Sequence, residues 1–363
     1  MTRSLHSPHA EAATGDNLPW HMTVEAPGRI GRAPNDPQIL GPRDVRIATL
    51  YSGISAGTEM TAFTGSNPFL NLSWDPKLRL FVPGATSWTY PMPAMGYEEV
   101  GRVVEVGAEV SKLREGQIVW GTWRHRSEHV AEEEWAALRI LPDGVDPRLG
   151  IFSQIGSIAL NAILDADIHL GETVAVFGQG VPGLMVTELA ALSGATVIAV
   201  DRLPDRLDRA RAHGATHVID GRREDAALRI KELTAGRGAD VSIEITGKSQ
   251  ALHEAVRATA YNSRVVACGF FQGEALGLRL GEEFHHNRVE IRCSQISGVA
   301  RGLDHRWNRA RLDATVMSLI AEGRVDWGRL ISHTLPVSEA QAAFEMLQDR
   351  PGECLQVVLD FSA

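Results

Sequence analysis

The sequence predicts an α/β protein in which a parallel sheet, covered by helices on both faces, is inserted into a mostly β domain. Three observations lead there. From about Ile155 onward, near-continuous apolar runs alternate with helical ones, the pattern of strands buried on both faces and of the helices that cover them. Within that stretch a buried strand runs through three spaced glycines into an apolar helix. The first ~150 residues, by contrast, are cut by Gly and Pro into short β-branched runs with few helical periods, which reads as a compact β domain.

Taken in order, the start MTRSLHSPHAEAATGDNLPW is polar and Ala/Ser-rich. It has no apolar stretch of signal-peptide type and is expected to form a flexible tail over residues 1–20. DVRIATLYSGIS, VGRVVEVG and QIVWGTW follow as strands. Between the first two lies TGSNPFLNLSWDPKLRLFVPGATSWTYPMPAMGYEE, long for a loop in a compact domain. Its aromatic residues Trp74, Phe81, Trp88 and Tyr90 either wall a substrate pocket or pack as a mini-core of their own; Trp74, Trp88 and Tyr90 are the candidate substrate contacts. ETVAVFG, TVIAVD, THVID, DVSIEITG and RVVACGF are the strands of the parallel sheet, with helices between them. A strand-like VEIRCSQISG, the helices of RARLDATVMSLIAEG and SEAQAAFEMLQ, and a final strand CLQVVLDF close the chain. The expected division is 21–154 with 301–363 as one domain and 155–300 as the inserted one.

Composition narrows the function. A net charge of -9 and a pI near 5.8 argue against nucleic-acid binding and against a polybasic membrane anchor. No apolar run is expected to approach the ~20 residues of a membrane span. The three cysteines, Cys268, Cys293 and Cys354, are far apart and odd in number, so they form no disulfide framework and no C-x-x-C zinc motif. They are expected to be small buried hydrophobes in a cytoplasmic protein.

Gly178, Gly180 and Gly183 form a G-x-G-x-x-G that follows a buried strand, opens a helix at Val181, and is followed about 20 residues on by Asp201 at the end of the next strand. Gly178 permits the tight turn, Gly180 lets the backbone approach a pyrophosphate, and Gly183 lets the helix lie close on the sheet. Asp201 is placed to accept from the ribose hydroxyls and to repel a 2′-phosphate, which favours NAD(H). Arg202 and Arg206 leave NADP(H) open. Thr246 completes the candidate cofactor set.

With these elements in place, the chain resembles the medium-chain dehydrogenase/reductase superfamily from about His21 to its end. The landmarks, in order, are GISAGTE, GYEEVGRVVEVGAEV, LPDGV, the glycine fingerprint, DVSIEITG and ISHTLPVSEAQAAFEMLQ. The resemblance implies a Rossmann doubly wound parallel sheet inserted in a mostly β GroES-like catalytic domain. Within the superfamily, ISAGTE and GYE look like a metal-poor branch that includes bacteriochlorophyllide dehydrogenase. Where zinc-type members carry a Cys, a His and a third Cys or acid, this chain has Ser55, Tyr97 and, nearby, Gln154. These are not zinc ligands, and the four-cysteine structural lobe is missing, so no metal is expected. By the same resemblance Thr58 takes the place of the hydroxyl that relays the alcohol proton, and Arg206 that of a basic ribose contact. Gln356 stands where relatives have a basic pyrophosphate contact.

Without a metal, charge on the substrate oxygen needs a hydrogen-bond donor or general acid. Tyr97 is the candidate, assisted by Thr58 and oriented by Glu98 or Glu59; the alternative is that Tyr97 merely fills the vacant metal cavity. His125 and His129 are expected in a solvated loop. His285 and His286 are read as strand neighbours on opposite faces, unable to share an ion. The expected activity is NAD(H)-dependent interconversion of a secondary alcohol and a carbonyl on a small hydroxylated molecule such as a sugar, a cyclitol or a secondary metabolite. The alternatives are a zinc-free NADPH-dependent C=C reductase and a non-catalytic nucleotide-binding protein. A homodimer through the edge strand near Val289–Ser294 is the expected assembly, with a small-molecule substrate and neither nucleic acid nor membrane as partner.

Overall fold

The computed structural model describes residues 18–84 and 86–363, so the tail expected at 1–20 lies almost wholly outside the described residues. The first half of the chain folds as β1 (Trp20–Ala26), β2 (Arg29–Pro34), β3 (Asp44–Ile54), β4 (Leu72–Asp75), β5 (Leu80–Pro83), β6 (Met92–Pro93), β7 (Glu99–Val106), β8 (Ile118–Gly121) and β9 (Glu128–Glu132). Then come β10 (Thr173–Phe177), β11 (Thr196–Asp201), β12 (His217–Asp220), β13 (Ala239–Glu244), β14 (Thr259–Ala267) and β15 (Glu290–Cys293). Last are β16 (Ile331–Pro336) and β17 (Gln356–Asp360).

Strands β10 to β15 form one six-stranded sheet in the order β12-β11-β10-β13-β14-β15, parallel throughout. Chain order reverses between β10 and β13, and a doubly wound sheet of this order opens its ligand crevice at the carboxyl ends of those two strands. The central strands read TVAVF and TVIAVD because both of their faces are covered. The fold class predicted from the sequence is the one observed.

The other large sheet runs β16-β17-β3-β7-β8, with β9 also on β3. Its last strand returns from the C-terminus, β17 pairing antiparallel with β3 at Val357–Ile54. Between the two sheets, the helix Phe152–Ala166 packs against the helices Val181–Leu192 and Arg309–Ala321 in one continuous apolar core. Together with the turn before it, this helix makes an apolar stretch over Pro147–Ala166 of 20 residues. The sequence does therefore contain a run of membrane-span length, against the expectation above. Here 78% of its apolar window is buried inside the protein, so its apolarity serves the core.

The long stretch after β3 is more structured than a loop. The 3-10 turn Pro68–Leu70 leads into the hairpin β4–β5. Two other expectations are corrected. His285 and His286 follow a π-helical turn, not a strand, and their exposed rings meet edge to face at 5.4 Å. Of the cysteines, Cys354 is buried and Cys268 half-buried, but Cys293 on the edge strand β15 is exposed.

Candidate active site

The turn after β3 and the start of β7 bring the carried-over residues together. Ser55 Oγ and the Tyr97 hydroxyl share a short hydrogen bond. Glu59 begins the helix Glu59–Thr64, and its Oε1 accepts from the Ser55 N–H at 2.8 Å. Oε2 of the same carboxylate accepts from Gly96 N at 3.4 Å, so Glu59 ties the segment carrying Ser55 to the segment carrying Tyr97. Thr58 is the residue before this helix. Its carbonyl accepts from the Thr61 hydroxyl at 2.6 Å, and its own side chain acts on the Tyr97 phenol in the same sense as Ser55, favouring the ionised form.

Beneath this pair lies an acid cluster buried almost completely. Glu59, Glu98, Glu99 and His125 are all at most 2% exposed. His125 Nε2–H donates to Glu59 Oε2 at 2.6 Å, and Trp123 N donates to Glu99 Oε2 at 2.7 Å. Ser52 donates its hydroxyl proton to Glu99 Oε1 at 3.1 Å, so its oxygen accepts from His125 Nδ1 at 2.6 Å. Both imidazole nitrogens then carry protons, which makes His125 an imidazolium facing the Glu59 carboxylate. The expectation of a solvated His125 is corrected: the turn after β8 folds inward. His129 is half-buried as well, stacked on Trp123 at 5.6 Å. Burial and the nearby Arg126 push its pKa down to about 4, which keeps it neutral.

Glu98 points elsewhere. Its Oε2 accepts from Gln356 Nε2 at 2.9 Å, and the same amide reaches the Ile54 carbonyl at 3.3 Å. Gln356 is thus taken up inside the catalytic sheet. Glycines make room for these contacts: a Cβ on Gly53 would sit 2.3 Å from Glu98 Oε2, and one on Gly96 would sit 2.6 Å from Glu99 Oε1.

The charges sort by environment. Burial, with Glu59 and Glu99 close by, raises the Glu98 pKa well above the carboxylate range, so Glu98 is neutral. Burial also raises Glu99 to about 7, against the pull of His125 and the Trp123 N–H. Burial alone would lower His125, but the Glu59 carboxylate outweighs it and the pKa is raised. Burial and Glu98 raise the Tyr97 phenol further than the hydrogen bonds from Ser55 and Thr58 lower it. Tyr97 therefore keeps its proton at neutral pH and is a donor.

Glu99 holds its proton more tightly in the fold (about 7) than in the unfolded chain (4.5), so its contribution is complete below pH 4.5 and is lost as pH rises to 7. His125, raised from 6.5, has the same sign and loses its contribution as pH rises through its folded pKa. Denaturant unfolding is expected to show stability falling by about 3 kcal/mol between pH 4.5 and 7 from Glu99 alone. Glu99→Gln is expected to flatten that slope, and a flat wild-type profile would contradict the arrangement.

The zinc-ligand positions do not fit a zinc ion. Ser55 and Tyr97 are neutral hydroxyls bonded to each other, Glu98 is neutral and bonded to Gln356, and Gln154 opens the helix Phe152–Ala166 with a carboxamide. A tetrahedral site draws on thiolate, imidazole or carboxylate.

A dinucleotide does fit at the reversal point of the parallel sheet. Gly178 has φ 101°, in the left-handed region, and a Cβ there would meet Thr246 Cγ2 at 2.5 Å. A Cβ on Gly183 would lie 1.9 Å from the Gly178 carbonyl oxygen, so the helix touches the turn only because position 183 has no side chain. Gly180, in contrast, faces open space, with only Arg206 Nη1 near, at 3.8 Å. It precedes the helix Val181–Leu192 without a side-chain cap, which leaves the N-terminal N–H groups for an anion. Asp201 at the end of β11 accepts from the backbone N–H of Gln179 (2.6 Å), Arg202 (2.7 Å) and Leu203 (2.9 Å). Arg206 donates to the Pro351 carbonyl at 2.9 Å, while its Nε is buried with no partner among the described residues; the Arg202 side chain is exposed.

The aromatic stretch packs on itself. Phe81 meets Trp74 at 5.0 Å and Phe69 at 5.5 Å, and Phe69 meets Trp88 at 5.1 Å. Tyr90 donates to the Ala62 carbonyl at 2.5 Å, and Tyr90 and Trp88 lean on the core around Met60, Phe63 and Phe344. The aromatic stretch thus packs partly on itself and partly on that core.

Comparison with known proteins agrees with this architecture. The family described as zinc-binding dehydrogenase matches residues 182–314. D-guloside 3-dehydrogenase of Escherichia coli (strain K12) is 28% identical over 85% of this chain and 90% of its own length. (R,R)-butanediol dehydrogenase of Bacillus subtilis (strain 168) is 26% identical over 82% of this chain and 87% of its own. Among solved structures, an oxidoreductase/dehydrogenase of unknown specificity from Escherichia coli superposes with a TM-score of 0.76 at 22% identity, covering 95% of this chain and 99% of that one. With the sheet order and the glycine cradle above, these matches support an NAD(P)-dependent dehydrogenase similar to the zinc-type alcohol dehydrogenase-like members of the medium-chain dehydrogenase/reductase superfamily.

Proposed function

We propose that the protein interconverts a secondary alcohol and a carbonyl on a small hydroxylated molecule, with NAD(H) as preferred cofactor and without catalytic zinc. The observation that carries this reading is the Ser55–Tyr97 hydroxyl pair, set on the buried Glu59–His125 pair where zinc-type relatives hold their metal. The sugar substrate named for the guloside dehydrogenase relative supports a sugar or cyclitol alcohol.

Nicotinamide, when bound, supplies or accepts the hydride. The chain stabilises the substrate oxygen. Tyr97 donates a hydrogen bond to that oxygen as negative charge develops on it, and its raised pKa keeps the proton in place to be donated. Ser55 and Thr58 orient the phenol and offer hydroxyls through which a proton can pass between substrate and solvent. Glu59 holds the two backbone segments in register. We assign residues 155–300 to cofactor binding, with Gly178, Gly180, Val181, Gly183 and Thr246 around the pyrophosphate and Asp201, Arg202 and Arg206 at the ribose. Residues 21–154 and 301–363 carry the chemistry. The exposed edge at β15 is the surface we assign to a homodimer.

The test pairs metal analysis with nucleotide binding. Purified protein is expected to hold no metal at the Ser55–Tyr97 site and to bind NADH more tightly than NADPH, followed by nicotinamide fluorescence. Asp201→Asn is expected to narrow that preference by removing the charge that repels a 2′-phosphate. Zinc whose binding is lost on Ser55→Ala or Tyr97→Phe, or a strong NADPH preference, would overturn the reading.

A further inference from the structure

We infer that His253, Glu282 and Glu283 form a binding site for a divalent transition-metal ion, separate from the catalytic cleft. His253 lies on the helix Ser249–Ala258 and is 5% exposed, and its Nδ1 is buried with no hydrogen-bond partner among the described residues. Glu283 Oε2, on the segment after β14, is likewise buried and unpartnered among the described residues. Burying polar atoms without partners is unfavourable, and native proteins seldom leave two together. Ligand atoms of His253, Glu282 and Glu283 all lie within 4.8 Å of one another.

The backbone explains how two consecutive glutamates reach one histidine. Neighbours on a regular helix point about 100° apart. Glu282, inside the π-helical turn Leu280–Phe284, leaves helical geometry at φ -97° and ψ -124°, and this break brings both carboxylates to the same imidazole.

The donor set selects the ion. One imidazole nitrogen and two carboxylate oxygens suit zinc, with water as a fourth ligand. Calcium and magnesium prefer oxygen throughout. Tetrahedral ligands on zinc stand about 3.3 Å apart, so modest side-chain movement closes the site. Two arginines now share the carboxylates. Arg279 bonds both Glu282 oxygens at 3.2 Å on the surface, and Arg257 Nε stands 3.6 Å from Glu283 Oε1. The first is an exposed pair that an ion displaces at little cost. The second arginine is already neutralised by Asp225 at 2.9 Å and Glu254 at 2.7 Å. A bound ion would pin the segment that leads away from the carboxyl end of β14 onto the helix beside it.

The test is a zinc titration of the chelator-stripped full chain by calorimetry, with the melting temperature as a second readout. One zinc per chain and a raised melting temperature are expected. His253→Gln and, separately, Glu283→Gln are expected to weaken binding by about 10–100-fold or more, while Ser55→Ala and Tyr97→Phe leave it unchanged. Should His253→Gln fail to fold, Glu283→Gln on the half-buried segment carries the comparison. Absence of stoichiometric zinc, or binding indifferent to both His253 and Glu283, overturns this site and leaves the proposed activity standing. Binding that is lost with Ser55 or Tyr97 overturns this site and the zinc-free reading together.

Discussion

Tyr97→Phe is expected to lower kcat by about 10²–10⁴-fold, the usual worth of a positioned proton donor. The substitution removes one oxygen and keeps the ring, so the space beside Ser55 stays filled. NADH affinity is expected to be unchanged, because the glycine turn and Asp201 proposed to hold the nucleotide lie at the carboxyl ends of β10 and β11, on the parallel sheet. The loss should fall on kcat more than on KM, since the hydrogen bond strengthens as charge develops on the substrate oxygen. Steady-state kinetics on a sugar or cyclitol alcohol, with cofactor binding measured in parallel, checks this. An unchanged kcat would mean that Tyr97 only fills the space a metal would occupy.

The second large effect is expected at His125. Its imidazolium and Glu59 form an ion pair at 2.6 Å with both side chains at most 2% exposed. Removing one partner of a buried pair leaves the other charge unmet and typically costs about 3–5 kcal/mol. His125→Asn is therefore expected to lower stability by about that amount, measured by denaturant unfolding. It should also lower kcat, because Glu59 loses the contact that aims it at the Ser55 and Gly96 N–H groups. The double variant His125→Asn with Glu59→Gln restores a neutral, hydrogen-bonding pair and is expected to recover part of the stability. Strict additivity of the two single variants would show that the pair is not coupled.

The parallel sheet was legible in the sequence almost strand by strand. TVIAVD is β11, and the runs around ETVAVFG, THVID and DVSIEITG fall on β10, β12 and β13. Buried strands and covering helices are written in local periodicity, and the glycine cradle in local spacing. The hairpins β1–β2 and β4–β5 were not read: β2 mixes Gly, Arg and Pro, β5 is mostly exposed, and neither alternates cleanly. The helix Phe152–Ala166 also went unread: it is buried on nearly every side, and its polar stripe, with Ser157 bonded to Asp313 and Asn161 to Ser294, faces the protein interior rather than solvent.

The candidate site divides along the same line. Ser55, Thr58, Glu59, Tyr97 and Glu98 stand in two short motifs, GISAGTE and GYEE, so the family resemblance nominated them. The partners that give them their chemistry come from far along the chain: His125 to Glu59 across 66 residues, Gln356 to Glu98 across 258. In WRHRSEH, His125 sits among charged and polar residues and looks solvated, yet the turn after β8 buries it completely. The sequence by itself determined the strands of the parallel sheet, where a dinucleotide fits, and that the positions matching zinc ligands hold hydroxyls and an amide. Only the tertiary structure decided which acids are charged, which proton Tyr97 keeps, and which histidine lies inside. Those properties depend on desolvation and on charges a few ångströms away, and neither is a function of local sequence.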